Sequence, residues 1–387
     1  MRVCLIGASH YPDDDRMFYR EATSLSTRYT VEVVVAGQLK QEIFKDGIRV
    51  TTYRKRSKAR HIALLLEMCL HLRSVRYDVV HCFDFESMIV AVLVSRFLPQ
   101  RPLIVYDAHE HFPSLMGSIV AEYFRLPKAL SSTLERVLDV LERFFANSCD
   151  AFVVVNDSLR ERFSALGMPV VTVRNFASLS WYDEAPVYNF LDDVLDPIII
   201  YMGANLDAKS RGLDKTIQAK MILDKRGFKT CFVLVGNVKG ASLYPRLADT
   251  GFRLTGWVGY PTLPSLLRRA KVGLALLQPI CFNSLIGQPN KLFAYMVAGL
   301  PVVASNLPGM REIVSKENCG MLVNPDDAEE TAEAIATLLR EEKMRLLMGK
   351  KGRLAAEREY NWEMEVGKLF DLYDRIRHTR MSRVSSQ

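Results

Sequence analysis

Short apolar stretches rich in β-branched residues recur along the whole chain and constrain its fold more than any other feature. The first series comprises RVCLIG, TVEVVVAG, DVVHCF, LIVYDAH, AFVVVN and VVTVRN, and the second comprises PIIIYMG, CFVLVG, FRLTGWV, VGLALL, PVVAS and GMLVNP. Continuous apolar strands separated by segments of helical period indicate parallel sheets covered by helices on both faces. Two such series predict an α/β protein with two Rossmann-like, doubly wound parallel-sheet domains.

The length of 387 residues also favours two domains, because a single core rarely serves so long a chain. We place the first domain at residues 1–176, joined by a C-terminal helix over about 363–380, and the second at 197–362. The segment 177–196 is rich in turn formers and lacks a sustained period, which is typical of a linker. Ligands of open parallel sheets bind beyond the carboxyl ends of the strands, so we expect the two domains to face a central cleft.

Composition narrows the class of protein. Apolar residues make up 49% and charged residues 25% of the chain, which is ordinary for a soluble protein. No apolar stretch reaches the ~18 residues that span a bilayer, and the start is too short in apolar residues for a signal peptide. The 7 cysteines are scattered, which predicts a reducing compartment without a disulfide framework or a zinc site. The net charge of +7 favours an anionic partner such as a nucleotide, a lipid head group or nucleic acid.

Glycines follow several predicted strands at the turn into a helix. Gly7, Gly203 and Gly236 are the clearest examples, with Gly212 close behind. Glycine there lets backbone amides approach a phosphate, which the helix N-terminus also attracts. The alternative is that these glycines only make tight turns. No Gly-x-Gly-x-x-Gly follows a strand and no Walker motif occurs, which disfavours a dinucleotide oxidoreductase and a P-loop enzyme.

Two cations accompany the loops of the second domain. Arg211 precedes Gly212 at a predicted helix start, and Lys291 opens the predicted helix in QPNKLFAYMVAG. A pyrophosphate needs fixed positive charges of this kind, both to bind and to be stabilised as a leaving group. The alternative for each is a solvated surface charge.

The motifs in their order make the chain similar to the retaining glycosyltransferases of family 4, which have the GT-B fold. The second half carries the resemblance in YMGANLDAKSRGLD, FVLVGN, LTGWVGYPTLPSLLRRAKVGLALL, PNKLFAYMVAGLPVVASNLPGMREIV and CGMLVNPDDAEETAEAI. The first half carries it in DDDRMFYREATSLS, YDAHEHFP and VVVNDSLRERF, and the end carries it in REYNWEMEVGKLFDLY. The resemblance therefore spans nearly the whole chain.

The resemblance implies roles for individual residues. The second domain would hold a nucleotide-sugar, with Arg211 and Lys291 on its diphosphate, and His109 would lie near the transferred sugar. For His109 the alternative is a strand-end histidine bonded to a backbone carbonyl. The resemblance implies no metal and no cofactor. The expected donor-binding positions are Gly7, Gly203, Arg211, Gly236, Asn290, Lys291, Ala294, Gly309 and Val323.

Ala294 departs from the family pattern. The resemblance implies a glutamate there, which would accept hydrogen bonds from the donor's ribose, and Ile286 stands at the position of its partner glutamate. Losing that carboxylate is expected to cost about 1.5 to 3 kcal/mol of binding, or about 10- to 100-fold in affinity. The alanine is therefore an introduced change, a natural one compensated elsewhere, or a mark of lost catalysis.

A basic and apolar segment in the first domain suggests a membrane surface. Five basic residues are followed by an apolar stripe at helical spacing. Anionic lipids would attract the basic cluster, although a core-facing helix with a solvated basic end is the alternative. Nucleic acid is disfavoured, since no aromatic stacking platform accompanies the charge. The basic residues are Arg54, Lys55, Arg56, Lys58 and Arg60, and the stripe is Ile62, Leu65, Leu66, Cys69 and Leu70.

Together these features predict a retaining, metal-independent glycosyltransferase. It would move a sugar from a nucleoside diphosphate sugar to a hydroxyl acceptor, such as a lipid-linked glycan or a polysaccharide precursor. We expect it in the cytoplasm, peripheral on the inner face of the plasma membrane. Two alternatives stay open: a nucleotide-sugar 2-epimerase of the same fold, and a non-catalytic relative that only binds the nucleotide-sugar.

Overall fold

A computed structural model describes residues 1–54, 61–124, 127–238 and 251–385, together with Leu247. The chain divides into two compact units. The first comprises Met1–Arg174 and Glu365–Gln387, and the second comprises Asn175–Met364.

An eight-stranded sheet forms the centre of the first unit, in the order β3-β4-β2-β1-β5-β6-β7-β8. Every pairing is parallel except that of β3 with β4. The six strands of the first predicted series are confirmed. The strands are β1 Arg2–Gly7, β2 Thr30–Gly37, β3 Gln41–Lys45, β4 Ile48–Arg54, β5 Val79–Cys82, β6 Leu103–Ala108, β7 Ala151–Val154 and β8 Val170–Thr172.

The hairpin β3–β4 was not predicted from the sequence. Its turn is Asp46-Gly47, and both residues have positive φ, 50° and 77°. An Asp-Gly pair is a strong signal for a two-residue hairpin turn, so the sequence did carry the information. The short, largely exposed strand β3 closes this edge of the sheet.

Helices cover both faces of the first sheet. Four of them bury their apolar residues in one core on one face, for example Met68, Met88, Ala146 and Phe163. A π-helical segment, Met17–Ala22, leads into the first α-helix. The helices before the second unit are α1 Thr23–Ser26, α2 His61–Ser74, α3 Phe85–Ser95, α4 Phe112–Phe124, α5 Lys128–Ala146 and α6 Asp157–Ser164.

The second unit is built on a six-stranded, entirely parallel sheet in the order β11-β10-β9-β12-β13-β14. All six strands of the second predicted series are confirmed. Strand order reverses between the adjacent strands β9 and β12, which is the position where open α/β sheets bind ligands. The strands are β9 Ile198–Asn205, β10 Cys231–Asn237, β11 Arg253–Gly256, β12 Ala270–Ala275, β13 Val302–Ser305 and β14 Gly320–Val323.

Two apolar cores, one on each face of this sheet, hold the helices of the second unit. The segment 177–196 also belongs to this unit, where Leu191 is buried and Arg268 donates to the carbonyl oxygens of Tyr182 and Ala185. No helix in the described ranges is long and apolar enough to cross a membrane. The helices are α7 Leu179–Asp183, α8 Leu213–Lys225, α9 Leu263–Arg269, α10 Phe282–Ile286, α11 Asn290–Val297, α12 Pro308–Glu317, α13 Ala328–Arg340 and α14 Glu342–Arg358. A last helix, α15 Trp362–Ser385, begins in this unit and belongs to the first unit from Glu365 onward.

Candidate active site

The reversal point of the second sheet is fixed by Tyr295 of α11. Its hydroxyl accepts a hydrogen bond from the Met202 amide at 3.2 Å and lies 3.2 to 3.3 Å from the carbonyl oxygens of Leu274 and Ile200. The ring fits against β12 because Gly273 has no side chain, and a Cβ there would lie 2.5 Å from it. Helix α11 is thereby anchored to both central strands, β9 and β12.

Lys291 lies one turn before Tyr295 and is buried, with 7% of its surface exposed. Its ammonium group sits 4.2 Å from the centroid of the Tyr201 ring, and 3.5 Å from where a Cβ on Gly203 would stand. No described residue accepts a hydrogen bond from this nitrogen. Burial lowers the pKa of Lys291 well below 10.5, and the nearby charge of Arg211 lowers it further. A buried cation of this kind favours an anionic ligand.

Arg211 belongs to the loop that follows β9. A short 3₁₀ turn, Lys209–Arg211, ends at Gly212, whose φ of 60° lets the chain reverse into α8. The carbonyl of Arg211 accepts a hydrogen bond from the Tyr201 hydroxyl. The loop therefore rests on the same tyrosine whose ring lies under the Lys291 ammonium.

Gln278 joins the loops at three strand ends. Its backbone N–H donates to the Ser210 carbonyl oxygen at 2.9 Å, and its side-chain Nε2 donates to the Pro325 carbonyl oxygen at 2.7 Å. These contacts tie the loop after β12 to the loops after β9 and β14. Arg211 consequently lies in a loop that is tied to two neighbouring loops, and such preorganisation favours stabilisation of charge.

The predicted glycines Gly203 and Gly236 touch each other. A Cβ on Gly236 would lie 1.7 Å from the Gly203 carbonyl oxygen, and its φ is 129°. Only glycine permits this approach of β10 to the end of β9. The structure thus brings Gly203, Gly236, Arg211 and Lys291 together at one strand end.

The other predicted donor positions lie on α11 and on neighbouring elements. Asn290 begins α11, and Ala294 lies three residues after Lys291 on the same buried helix. Gly309 lies at the start of α12, where a Cβ would come within 2.5 Å of the Ile286 carbonyl oxygen. Val323 ends β14, is buried, and accepts a hydrogen bond from the Asn306 amide at 2.8 Å.

In the first unit, Gly7 lies at the end of β1 beside His10, and a Cβ on Gly7 would lie 2.8 Å from the imidazole. Nδ1 of His10 is 2.9 Å from a carboxylate oxygen of Asp14, and Nε2 is 3.3 Å from the Phe83 carbonyl oxygen. Burial opposes a charge on His10, but the hydrogen bond and charge of Asp14 outweigh it and raise the pKa to about 9. Two acceptors on two nitrogens fit an imidazolium, which donates from both.

His109 follows β6 and lies in the same region. Its Nε2 is 3.2 Å from Oδ1 of Asp107, and its ring meets those of His10 and Phe83 edge to face. Asp107 is therefore the nearest carboxylate to His109, although the pair does not reach hydrogen-bond geometry. Burial lowers the pKa of His109 even though Asp107 opposes the shift. The imidazole is thus held neutral at physiological pH and oriented by a buried carboxylate.

Arg16 organises the buried charges behind His109. Its guanidinium donates to both oxygens of Asp107 at 2.9 to 3.2 Å, and it contacts Glu21 at 3.0 Å. Burial and then Arg16 are the largest influences on the pKa of Asp107, which Arg16 and His109 hold well below the usual range. Atoms of Glu21, His81 and Asp107 lie within 4.8 Å of one another, as metal ligands would, but Arg16 already supplies the positive charge there.

Sequence reasoning did not assign roles to His10, Arg16 or Asp107. All three stand inside or beside the motifs quoted above, yet Arg16 and Asp107 are 91 positions apart. The continuous apolar run LIVY marks β6 as buried, and a charged residue inside a buried strand could have drawn attention to Asp107. Its partner became visible only in the fold.

The predicted basic segment is described in part. Arg54 ends β4 and is exposed, whereas Lys55, Arg56, Lys58 and Arg60 lie outside the described residues. The stripe on α2 does not face the core as a whole. Its members Leu65 and Cys69 pack against the core, but Ile62, Leu66 and Leu70 are exposed, and the buried face is formed by Leu64, Met68 and Leu72.

Two doubly wound units, one with a buried lysine and a nearby arginine at its sheet reversal, define the class of GT-B glycosyltransferases. Family models match both: "Glycosyl transferase 4-like domain" over residues 16–175 and "Glycosyl transferases group 1" over residues 196–341. The chain belongs to the group 1 glycosyltransferases of family 4, as the resemblance predicted.

Individual proteins of known identity resemble the chain over most of its length. A phosphatidyl-myo-inositol mannosyltransferase of Mycolicibacterium smegmatis is 25% identical over 298 residues, which are 73% of this chain and 74% of that one. Sucrose-phosphate synthase from Thermosynechococcus elongatus is similar in structure, with a TM-score of 0.74, 16% identity and coverage of 98% and 99%. Anabaena HepE, solved with UDP-glucose, has a TM-score of 0.69 at 14% identity, with coverage of 99% and 100%.

Proposed function

We propose that this glycosyltransferase moves a sugar, with retention of its anomeric configuration and without a metal ion, from a nucleoside diphosphate sugar to a hydroxyl acceptor. The observation that carries the proposal is Lys291. Its buried ammonium finds no acceptor among the described residues and lies near Arg211 at the reversal point of a parallel sheet. A diphosphate supplies the negative charge that this position requires.

Lys291 and Arg211 are suited both to binding the diphosphate and to stabilising it as the leaving group. Negative charge grows on the diphosphate as the bond to the sugar breaks, and fixed cations in a water-poor site stabilise that charge strongly. Lys291 is preorganised by burial, and Arg211 by the braced loop on Tyr201. The UDP-glucose in the structurally similar HepE supports a uridine nucleotide as the first donor to test.

His109 is the residue we propose to orient the transferred sugar. A neutral imidazole held by Asp107 can exchange a hydrogen bond with a sugar hydroxyl without bringing a second positive charge. We further propose that the departing diphosphate assists deprotonation of the incoming hydroxyl. No protein nucleophile is then required.

For the acceptor we propose a lipid-linked glycan, with a polysaccharide precursor as the second choice. The support is the relative named as acting on phosphatidyl-myo-inositol, a lipid that carries a polyol head group. We further propose that the protein acts in the cytoplasm, peripheral on the inner face of the plasma membrane, where the exposed Arg54 would meet anionic lipid.

The decisive experiment is thermal unfolding with UDP, GDP and ADP, followed by a transfer assay with the nucleotide-sugar whose nucleotide binds. A ligand at ~100 Kd stabilises the folded protein by about 2.7 kcal/mol. Arg211→Ala should lower turnover about tenfold or more, the scale of one lost charged contact in the transition state. Lys225→Ala, an exposed cation at the far end of α8, is the control. Unchanged turnover in Arg211→Ala would remove Arg211 from the mechanism.

Ala294 separates this proposal from a non-catalytic relative. Ala294 and Lys291 are three residues apart on α11 and share a helix face. A carboxylate introduced by Ala294→Glu therefore stands next to the proposed diphosphate site. Tighter nucleotide binding together with faster transfer in Ala294→Glu would count against the non-catalytic reading. An epimerase would convert the donor with no acceptor present, which product analysis detects.

A further inference from the structure

The helices α2, α3, α5 and α4 of the first unit pack side by side in that order and form one layer. We call the outer surface of this layer the α2–α5 face. It exposes large apolar side chains whose exposed fractions run from 42 to 75%. They are Ile62, Leu66 and Leu70 on α2, Leu93 and the following Phe97 at α3, Ile119, Tyr123 and Phe124 on α4, and Leu130, Val137, Val140, Leu141 and Phe144 on α5.

Most of the exposed large apolar residues of the first unit lie on this face, and the others, Tyr11, Leu39, Ile43 and Phe44, lie on β3 or in loops. On α15, by contrast, Leu369, Phe370, Leu372, Tyr373 and Ile376 are buried. The exposed apolar residues of α5 stand 7, 10, 11 and 14 positions after Leu130, a spacing that places them on one side of the helix. A contiguous apolar face of this kind marks an interaction surface, whereas single exposed apolar residues are normal on any soluble protein.

The most exposed charged side chains of the α2–α5 face are all arginines. Among the described side chains of the four helices, the exposed charged ones are Arg73, Arg136 and Arg143. Arg76 and Arg96, which follow α2 and α3, are exposed as well.

Five described carboxylates of this layer are less exposed than its arginines: Glu67 and Glu135 are half-buried, and Glu86, Asp139 and Glu142 are engaged with cations or histidine. Glu86 lies 2.8 Å from His61, and Glu142 is buried against Arg162. Asp139 binds both Arg143 and Arg162. The side chains that protrude furthest from this face are consequently apolar residues and arginines.

From these observations we infer that the α2–α5 face lies on an anionic lipid bilayer. Its apolar side chains enter the boundary between head groups and acyl chains, and its arginines meet lipid phosphates. A second copy of the chain fits less well, because two such faces would bring arginines against arginines. The inference deepens the proposed function, since it rests on a membrane-borne acceptor and names the surface that would reach it.

A fluorophore on helix α5 can test directly whether the face enters the bilayer. The tryptophans of the chain, Trp181, Trp257 and Trp362, all belong to the second unit. Phe144→Trp therefore places the first unit's own fluorophore on the face, at a position 61% exposed. Acyl-chain-brominated lipid in vesicles of phosphatidylglycerol and phosphatidylcholine should quench it, and vesicles of phosphatidylcholine alone should not.

A flotation assay with the same vesicles supplies the quantitative test. The triple variant Leu66→Gln, Val140→Gln, Phe144→Gln should bind the anionic vesicles at least about tenfold more weakly. Keeping even one large apolar side chain out of the bilayer costs about tenfold in affinity. The matched control is Leu346→Gln, Leu347→Gln, Leu354→Gln, which alters three exposed leucines of α14 in the second unit. Binding of the control variant should equal that of the unaltered chain.

Three results would overturn the inference: equal vesicle binding by both triple variants, no binding of the unaltered chain, or self-association that the first triple variant abolishes. The last would assign the face to a second copy. Stabilisation by nucleotide is measured on the same proteins and does not involve this face. If the unaltered chain binds nucleotide but not vesicles, only the inference about the face fails. If the unaltered chain does not bind nucleotide, the proposed function fails.

Discussion

The ammonium group of Lys291 lies 4.2 Å from the centroid of the Tyr201 ring. The ring is itself fixed, because the Tyr201 hydroxyl bonds the carbonyl oxygens of Arg211 and Leu276. A cation over an aromatic face is attracted by the ring quadrupole, but this replaces only part of the hydration that burial removes. Lys291 is therefore held ready for an anion at a cost to the unliganded protein.

Replacing Lys291 with methionine should separate stability from binding. Lys291→Met keeps most of the side-chain volume and removes an unpaired buried charge, so the free energy of unfolding should stay the same or rise. Affinity for the donor nucleotide should fall about 10- to 100-fold. Calorimetric titration and urea unfolding measure the two quantities. Lys209→Met, at an exposed position in the same loop cluster, is the control, and a large loss of stability in Lys291→Met would contradict the argument.

Nucleotide binding should be accompanied by proton uptake. Burial and Arg211 lower the pKa of Lys291 below 10.5, and a bound diphosphate would raise it again. Protons are then taken up at any pH between the free and bound pKa values, and affinity decreases as pH rises through the bound one. Titration calorimetry in buffers of different ionisation enthalpy measures the uptake. An identical uptake by Lys291→Met would show that another group is responsible.

His10 should stabilise the first unit in a pH-dependent way. Its folded pKa of about 9 exceeds the ordinary 6.5, so the contribution is complete below pH 6.5 and is lost as pH rises through about 9. The difference corresponds to at most about 3 kcal/mol. Unfolding free energy measured across this range should decline in the unaltered chain and less steeply in His10→Asn. A histidine NMR resonance that titrates near pH 6.5 and vanishes in His10→Asn would refute the assignment.

Gly236 should tolerate no side chain. Gly236→Ala would put a Cβ 1.7 Å from the Gly203 carbonyl oxygen, so β10 must move away from the donor site or the unit must unfold more easily. A loss of about 2 to 4 kcal/mol is expected from backbone strain and displacement together. Gly227→Ala is a matched control, because its φ of 80° is also positive but no atom lies within 4 Å of the new Cβ. Equal losses in the two variants would show that φ alone decides the cost.

The sequence by itself determined the architecture. Both series of strands could be predicted because a strand covered on two faces must be apolar throughout, and this is a local property of the sequence. The strand β3 was missed because it is largely exposed at the sheet edge and lacks that pattern. The strand β4 is mostly buried, but its sequence IRVTTYR mixes arginine and threonine with apolar residues and so contains no continuous apolar run. Lys291 and Arg211 were predicted as a pair from the loops they occupy.

Only the tertiary structure decided the burial, the contacts and the charge environment of those residues. That Lys291 is buried and Arg211 partly exposed depends on how α11 packs on β9 and β12, which no local pattern specifies. Arg16 and Asp107 meet across 91 positions, and Gly203 touches Gly236 only because β9 and β10 are neighbours. Charge, burial and pKa arise from atoms brought close in space, so a linear pattern can name the residues of a site but the fold sets their chemistry.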